Sequence, residues 1–479
     1  MKKASGVLCC LFVCVTWALS SAVSAAPASG TAADPAKGVQ AAGPADGAAA
    51  AGNTDEYCGE YFLPSGKRVS VYKSGVITEM ARLVFVNWEN GRVGALVKDG
   101  ADRFWAASSP TKPDVRQTVI TFGRDRENKI DQLMIAEGTG TEMKAERKET
   151  FTQKPVTFAN GDVVLAGTLK MPLRRGPFPA IVLIHGSGPG TREQVESNAR
   201  FFVHLGMAVL SYDKRGCGAS GGDWKTVDLD VLADDALAGV TMLAALPNID
   251  PRRIGLWGIS QGGWIAPLAA AKSMKVAFVI NHSGPGTSLR RQDTYMTASV
   301  LADQDVPASD IDLVVAALNT LYDYGRKKAS AEQLDAAVAL LQGKPGLEEY
   351  ASLSSSALIP DSLYAQQAIG DPAWFFHLDP DRDALQPYRT LRCPLLVMYG
   401  KLDYTVPVEE SAVKITAVLE KSGHPDFLVK VMERTGHGWT VMQPDHPEEP
   451  VEPLSIAPEC FSLVEEWLKS HGMCGAAKE

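Results

Sequence analysis

The sequence predicts an α/β fold: a mostly parallel sheet flanked by helices, carrying an inserted helical cap and preceded by a small all-β domain. Three observations predict it. Runs such as Ala180-Ile181-Val182-Leu183-Ile184, Ala208-Val209-Leu210-Ser211-Tyr212 and Pro394-Leu395-Leu396-Val397-Met398 are apolar without alternation, as strands buried on both faces must be. Between them lie segments of helical spacing; in residues 227–246, Leu229, Leu232, Ala236, Val240 and Leu243 fall three or four apart. Finally, Gly258-Ile259-Ser260-Gln261-Gly262 joins an apolar run to a small-residue helical stretch, which reads as strand, tight turn and helix with a serine at the turn.

Taken in order, the chain opens with Met1-Lys2-Lys3, then an apolar, uncharged stretch ending in the small residues Val23-Ser24-Ala25-Ala26. Residues 1–26 are expected to be a secretory signal peptide. The mature protein would then be exported, periplasmic or secreted, with no stable membrane insertion after cleavage. Residues 27–54 are almost wholly Ala, Gly and Pro and read as a flexible linker. Export makes the cysteines worth counting. Cys58, Cys217, Cys393, Cys460 and Cys474 remain after the leader, and Cys460–Cys474 is the expected disulfide, clipping the tail to the last helix.

Residues 55–150 are expected to form the small antiparallel β domain, a sandwich or partial barrel. Short runs rich in Val, Ile, Phe and Tyr (68–72, 83–87, 93–98 and 118–122) are punctuated by Ser65-Gly66, Asn90-Gly91 and Asp99-Gly100, which are hairpin-type turns. No cluster of His, Asp or Cys there suggests chemistry. Residues 151–479 are expected to be the catalytic domain. About 110 residues separate the strand run ending near Asn281 from the one at Pro394, too many for a loop in a compact domain. Residues 285–390 therefore read as an inserted helical cap, with helices over 294–303, 309–326 and 331–342. Trp374-Phe375-Phe376 within it reads as core packing or as the lining of an acyl pocket.

A serine hydroxyl needs a base, and the base needs a third group to hold it. Asp403 follows the strand run 395–399 in a turn opened by Gly400, and His437 lies between Gly436 and Gly438 after the strand run 427–432. The order serine, acid, histidine and the strand-end positions select Ser260 as nucleophile, Asp403 as orienter and His437 as base. His185 precedes the nucleophile, His424 precedes its strand, and His446 sits in an acidic, proline-rich stretch. His204, His282, His377 and His471 lack the same placement. For the oxyanion hole, the expected donors are the backbone N–H groups of Gln261, just after the nucleophile, and of Ser187, in His185-Gly186-Ser187-Gly188-Pro189-Gly190. That loop lacks the Gly-Lys-Ser/Thr ending of a phosphate cradle. No metal-ligand spacing is present, so neither metal nor cofactor is expected. A net charge of -9 and a pI near 5.5 speak against nucleic acid as the main partner.

The His-Gly-Ser-Gly-Pro-Gly loop, Tyr212-Asp213-Lys214-Arg215-Gly216-Cys217-Gly218 and Gly-Ile-Ser-Gln-Gly-Gly-Trp together resemble the α/β-hydrolase superfamily. The chain is similar in particular to exported bacterial carboxylesterases related to the prolyl oligopeptidase and dipeptidyl aminopeptidase group. The resemblance covers about residues 156–471. It implies the α/β-hydrolase fold and the same Ser260, Asp403 and His437 triad. The expected activity is carboxylic-ester hydrolysis through an acyl-enzyme, on a small-molecule ester. The alternatives are a serine peptidase of prolyl oligopeptidase or aminopeptidase type, an acyl thioesterase, or a non-catalytic binding protein on a hydrolase fold. The Asp213–Gly218 turn reads as a structural loop beside the site.

Overall fold

The computed structural model describes residues 54–74, 83–106, 118–137, 142–351, 353, 379–443 and 454–474. The expected leader, nearly all of the linker, and Trp374, Phe375, Phe376, His377 and His446 lie outside the described residues.

Eight strands come first: β1 (Gly59–Phe62), β2 (Arg68–Lys73), β3 (Leu83–Asn87), β4 (Val93–Lys98), β5 (Arg103–Ala106), β6 (Thr118–Arg124), β7 (Ile130–Glu137) and β8 (Met143–Arg147). Each pairs antiparallel with the next, and β8 returns to β1 through Tyr61↔Arg147 and Phe62↔Glu146. The result is a closed barrel rather than a sandwich or a partial barrel. Closure removes the free edges that an open sheet of this size would expose. Its interior is filled by Tyr61, Val69, Val71, Phe85, Phe104, Ile120, Leu133 and Ile135.

The second sheet holds β9 (Phe151–Asn160), β10 (Val163–Pro172), β11 (Phe178–Ile184), β12 (Ala208–Tyr212), β13 (Ile249–Ile259), β14 (Phe278–His282), β15 (Leu395–Gly400) and β16 (Phe427–Met432). Their spatial order is β16-β15-β14-β13-β11-β12-β10-β9. The pairings from β12 through β16 are parallel, and β10 alone is reversed, pairing antiparallel with both β12 and β9. The apolar runs are buried on both faces, for alternating reasons. Val182, Ile184, Val279 and Val397 face one core with α2 (Leu229–Ala244) and α3 (Gly262–Lys272). Ile181, Leu183, Ile280, Leu396 and Met398 face the other, with α1 (Glu196–His204) and α8 (Pro458–Ser470).

Between β14 and β15 lie α4 (Leu289–Asp303), α5 (Ala308–Gly325) and α6 (Ala331–Ala339). Their Leu289, Leu301, Val314, Leu318 and Leu334 join the same core as α2 and α3. One more helix, α7 (Val408–Lys421), connects β15 to β16. Among the described residues no helix is long and apolar enough to cross a membrane.

All five described cysteines are free thiols, so the expected Cys460–Cys474 bridge is absent. The reason is geometric. Cys460 lies in the first turn of α8 and Cys474 follows its other end at Ser470, and the helical rise from Cys460 to that end comes to roughly 15 Å, well beyond disulfide reach.

The barrel is fastened to α1 by buried charge. Glu60 pairs with Arg200, with Arg68 at 3.1 Å and with His204 at 3.2 Å. Its Oε2 also accepts the Ser70 hydroxyl at 2.6 Å. Only 3% of Glu60 is exposed, yet a carboxylate facing this many donors stays ionised in a dry site.

Candidate active site

Ser260 stands where β13 turns into α3, in the left-handed region at φ 55°. A non-glycine residue is rarely held there. The surrounding packing enforces it: a Cβ on Gly258 would collide with the carbonyl oxygen of Gly262, and one on Gly262 would come within 2.6 Å of the Ile184 carbonyl oxygen. The strand, turn and helix therefore close on one another only with glycine at both positions. The Ser260 N–H donates to the His282 carbonyl at 2.9 Å, which pins the turn to the end of β14.

Asp403 lies in the turn after β15 and is buried. Its Oδ1 accepts the N–H groups of Thr405 and Val406 at 2.8 and 3.1 Å, and its Oδ2 accepts Nδ1–H of His437 at 2.7 Å. His437 follows β16 and is half-buried. Burial of the ring lowers its pKa, but the Asp403 charge and hydrogen bond outweigh burial and hold it above the ordinary histidine value.

The structure thus brings Asp403 and His437 into contact. Among the described residues the Ser260 hydroxyl makes no hydrogen bond with His437, an arrangement common in sites without substrate. Both residues are tied to one step of β14, however. Ser260 holds the His282 carbonyl, while the Ser283 hydroxyl donates to the His437 carbonyl at 2.9 Å. The His282 ring also stacks on Trp439 with centroids 3.7 Å apart.

The other two expected residues flank the serine. Gln261 is buried, and among the described residues its backbone N–H meets no acceptor. Ser187 lies in the loop after β11. A Cβ on the preceding Gly186 would sit 3.4 Å from Cβ of Ser260, so this loop passes directly over the turn that carries Ser260.

Sequence reasoning missed the role of Lys214. Its buried ammonium donates to the carbonyl oxygens of Gly186 at 2.6 Å and Gly188 at 2.7 Å, and to Oε1 of Gln261 at 3.2 Å. In a trans peptide the C=O and the next N–H point in opposite directions. Holding the Gly186 carbonyl on Lys214 therefore turns the Ser187 N–H away from the ammonium. The rest of the Asp213–Gly218 turn braces the same region. Asp213 pairs with Arg192 at 2.6 Å, Arg215 pairs with Asp235 at 2.5 Å, and the Cys217 sulfur accepts the Gly190 N–H at 3.4 Å. The sequence signal was three successive polar residues, Asp213, Lys214 and Arg215, immediately after a buried strand.

Burial, and then the charge of Lys214, push the pKa of His185 down to about 3, so this ring is neutral. A shallow cleft beside α3 is lined by Leu229, Trp264, Leu268, Thr287 and Leu289 together with Asp379, Arg382, Asp383, Ala384 and Pro387. None of Ser187, Ser260, Gln261, Asp403 or His437 lines it.

The chain is 25% identical over 324 residues to Esterase EstD of Thermotoga maritima, covering 65% of this chain and 67% of that one. It is 33% identical over 127 residues to the Quorum-quenching protein AidA of Acinetobacter baumannii, covering 26% of this chain and 42% of the relative. The match thus spans two thirds of the first relative's length and less than half of the second's. The solved Pyrococcus furiosus esterase Pf2001 is 21% identical over 67% of this chain and 91% of that chain, with a TM-score of 0.41. The pattern of the Alpha/beta hydrolase family matches residues 181–452, more than half of the sequence, and the chain belongs to that family.

Proposed function

We propose that the protein is a serine hydrolase that cleaves carboxylic esters through an acyl-enzyme. The observation that carries this reading is the 2.7 Å hydrogen bond between Asp403 and His437, set beside a serine held at positive φ in a strand-to-helix turn. In the proposed sequence His437 Nε2 takes the Ser260 proton as Oγ attacks the ester carbonyl, and Asp403 stabilises the imidazolium that forms. The N–H groups of Gln261 and Ser187 receive the developing oxyanion, each worth about 10²–10³ in rate. His437 then returns its proton to the departing alcohol. Water, deprotonated by the same ring, releases the acid and restores Ser260. The match to a relative named as an esterase supports esters over amides. We also infer that residues 1–26 direct export, which N-terminal sequencing of the mature protein tests.

The deciding experiment is a hydrolysis panel on the purified mature protein and its Ser260→Ala variant. It contains p-nitrophenyl esters from acetyl to palmitoyl, aminoacyl and prolyl anilides, and an acyl thioester. Serine-dependent turnover fastest on esters is the expected result. Faster anilide or thioester cleavage replaces the ester reading with a peptidase or thioesterase, and full ester turnover by Ser260→Ala refutes the mechanism.

A further inference from the structure

The β3–β4 hairpin of the barrel bonds to the strip at residues 454–456 that runs beside the segment after His437. The β3–β4 turn places Gly91 at φ +77°, with its N–H donating to the Asn87 carbonyl at 2.9 Å. From this tip a ladder of main-chain bonds runs into the catalytic domain. The Val93 N–H donates to the Leu454 carbonyl at 2.9 Å, and the Ile456 N–H to the Gly91 carbonyl at 2.9 Å. The next rung joins this strip to the segment just after His437. The Val441 N–H donates to the Ser455 carbonyl and the Ala457 N–H to the Trp439 carbonyl, both at 2.8 Å. That segment pairs back through Thr435↔Val441 and through the Gly436 N–H to the Thr440 carbonyl at 2.9 Å. His437 sits in the tight turn the last rung closes.

Side chains repeat the path. Trp88, just past β3, packs edge-on against Phe461 at 5.3 Å, Phe461 edge-on against Trp439 at 5.3 Å, and Trp439 stacks on His282. Each rung near His437 is an isolated bridge, and so short a pair holds little by itself. Extending it outward to the barrel makes it part of a sheet-like unit with an apolar backing, since Ile456 packs with Tyr72, Val84 and Val86 of the barrel.

We propose that the barrel is a positioning element for the catalytic base, with Gly91 and Trp88 as the residues through which it fixes the turn carrying His437. This rests on the reading of His437 as the base. Displacement of a catalytic group by about 1 Å costs on the order of 10²-fold in rate, so loosening the ladder is felt in chemistry rather than in substrate binding.

The test uses the full-length protein with Gly91→Ala, Gly66→Ala, Trp88→Leu and His437→Ala. A Cβ on Gly91 would collide with the Ile456 carbonyl oxygen, whereas one on Gly66, also at positive φ (+79°), meets nothing within 4 Å. The two alanines carry the same backbone strain, and only one touches the ladder. Gly91→Ala is expected to lower kcat roughly tenfold or more, with KM within about twofold. The acid limb of its kcat/KM profile should move to lower pH as Asp403 loses its hold on the ring. Gly66→Ala should match wild type, and Trp88→Leu should follow Gly91→Ala in the same direction. Wild-type kcat and acid limb in folded Gly91→Ala overturn the proposal, as does an equal loss in Gly66→Ala. Should Gly91→Ala fail to fold, the same wild-type result in Trp88→Leu overturns it. His437→Ala separates the two readings. Turnover retained there sinks the triad itself, while an inactive His437→Ala beside normal Gly91→Ala and Trp88→Leu sinks only the positioning role.

Discussion

Asp403 accepts Nδ1–H of His437 at 2.7 Å with one carboxylate oxygen while two backbone amides occupy the other. The carboxylate cannot rotate without losing the Thr405 and Val406 bonds, so the ring is held in the tautomer that leaves Nε2 free to accept a proton. Charge and orientation come from one contact.

The same contact sets the pH dependence. An isolated histidine would put the acid limb of kcat/KM near 6.5, which is the reading the sequence alone supports. In the structure burial lowers the His437 pKa and Asp403 raises it by more. Because the proposed mechanism requires the neutral ring, activity should fall as pH drops through a midpoint above 6.5. A kcat/KM profile on a neutral ester from pH 5 to 9 measures it; a midpoint at or below 6.5 would mean that burial dominates. Asp403→Asn should lower turnover by about 10⁴ and shift the limb of the residual activity downward, while the circular-dichroism spectrum stays that of the wild type.

Lys214 gives a second prediction. Its ammonium holds the loop over Ser260 through two carbonyls and reaches the Gln261 side chain from the same point. Lys214→Met keeps much of the side chain's length and apolar stem but supplies no donor, so the Gly186 peptide is free to rotate and the Ser187 N–H loses its aim. The expected result is a fall in kcat approaching the loss of one oxyanion donor, about 10²-fold, with little change in KM. An increase in KM at unchanged kcat would instead place Lys214 in ground-state binding.

The proposed donor at Ser187 is a main-chain group, and that separates two substitutions at one position. Ser187→Ala keeps the N–H and should retain turnover within a few-fold. Ser187→Pro deletes it and should cost about 10²–10³ in kcat. Equal losses in the two variants would assign the effect to the hydroxyl and remove the N–H from the oxyanion hole.

What the sequence made legible was local. Ser260, Asp403 and His437 each sit just past a strand with glycine within three positions, so a few residues of context suffice to nominate them. Lys214 escaped because its partners lie 26 to 47 positions away, and nothing in the turn itself shows which carbonyls it meets. Barrel closure escaped for another reason. The closing strand, Met143–Arg147, buries only Ala145, too little to display the alternation that marks a strand. The ladder to His437 joins residues more than 300 positions apart in the chain, a separation no periodicity can reveal.

Glu60 supplies the last prediction, on stability. Burial alone would raise its pKa, but Arg200, His204 and Arg68 hold it far below the ordinary carboxylate range. A carboxylate whose folded pKa is depressed contributes stability above its unfolded value, near 4.3, and loses it as pH falls toward the folded one. Glu60→Gln removes the charge at every pH and leaves Arg68 and Arg200 buried against a neutral amide. Breaking one side of a buried pair costs about 3–5 kcal/mol. The lower end is expected, since Arg200 keeps Glu196 at 2.7 Å. Urea unfolding at pH 7 should show that loss, and the gap between variant and wild type should narrow below about pH 4, where the unfolded chain's carboxylate takes up a proton that the native one still refuses. A variant within about 0.5 kcal/mol of wild type would mean that the barrel is held to α1 by apolar packing, with the charges as bystanders.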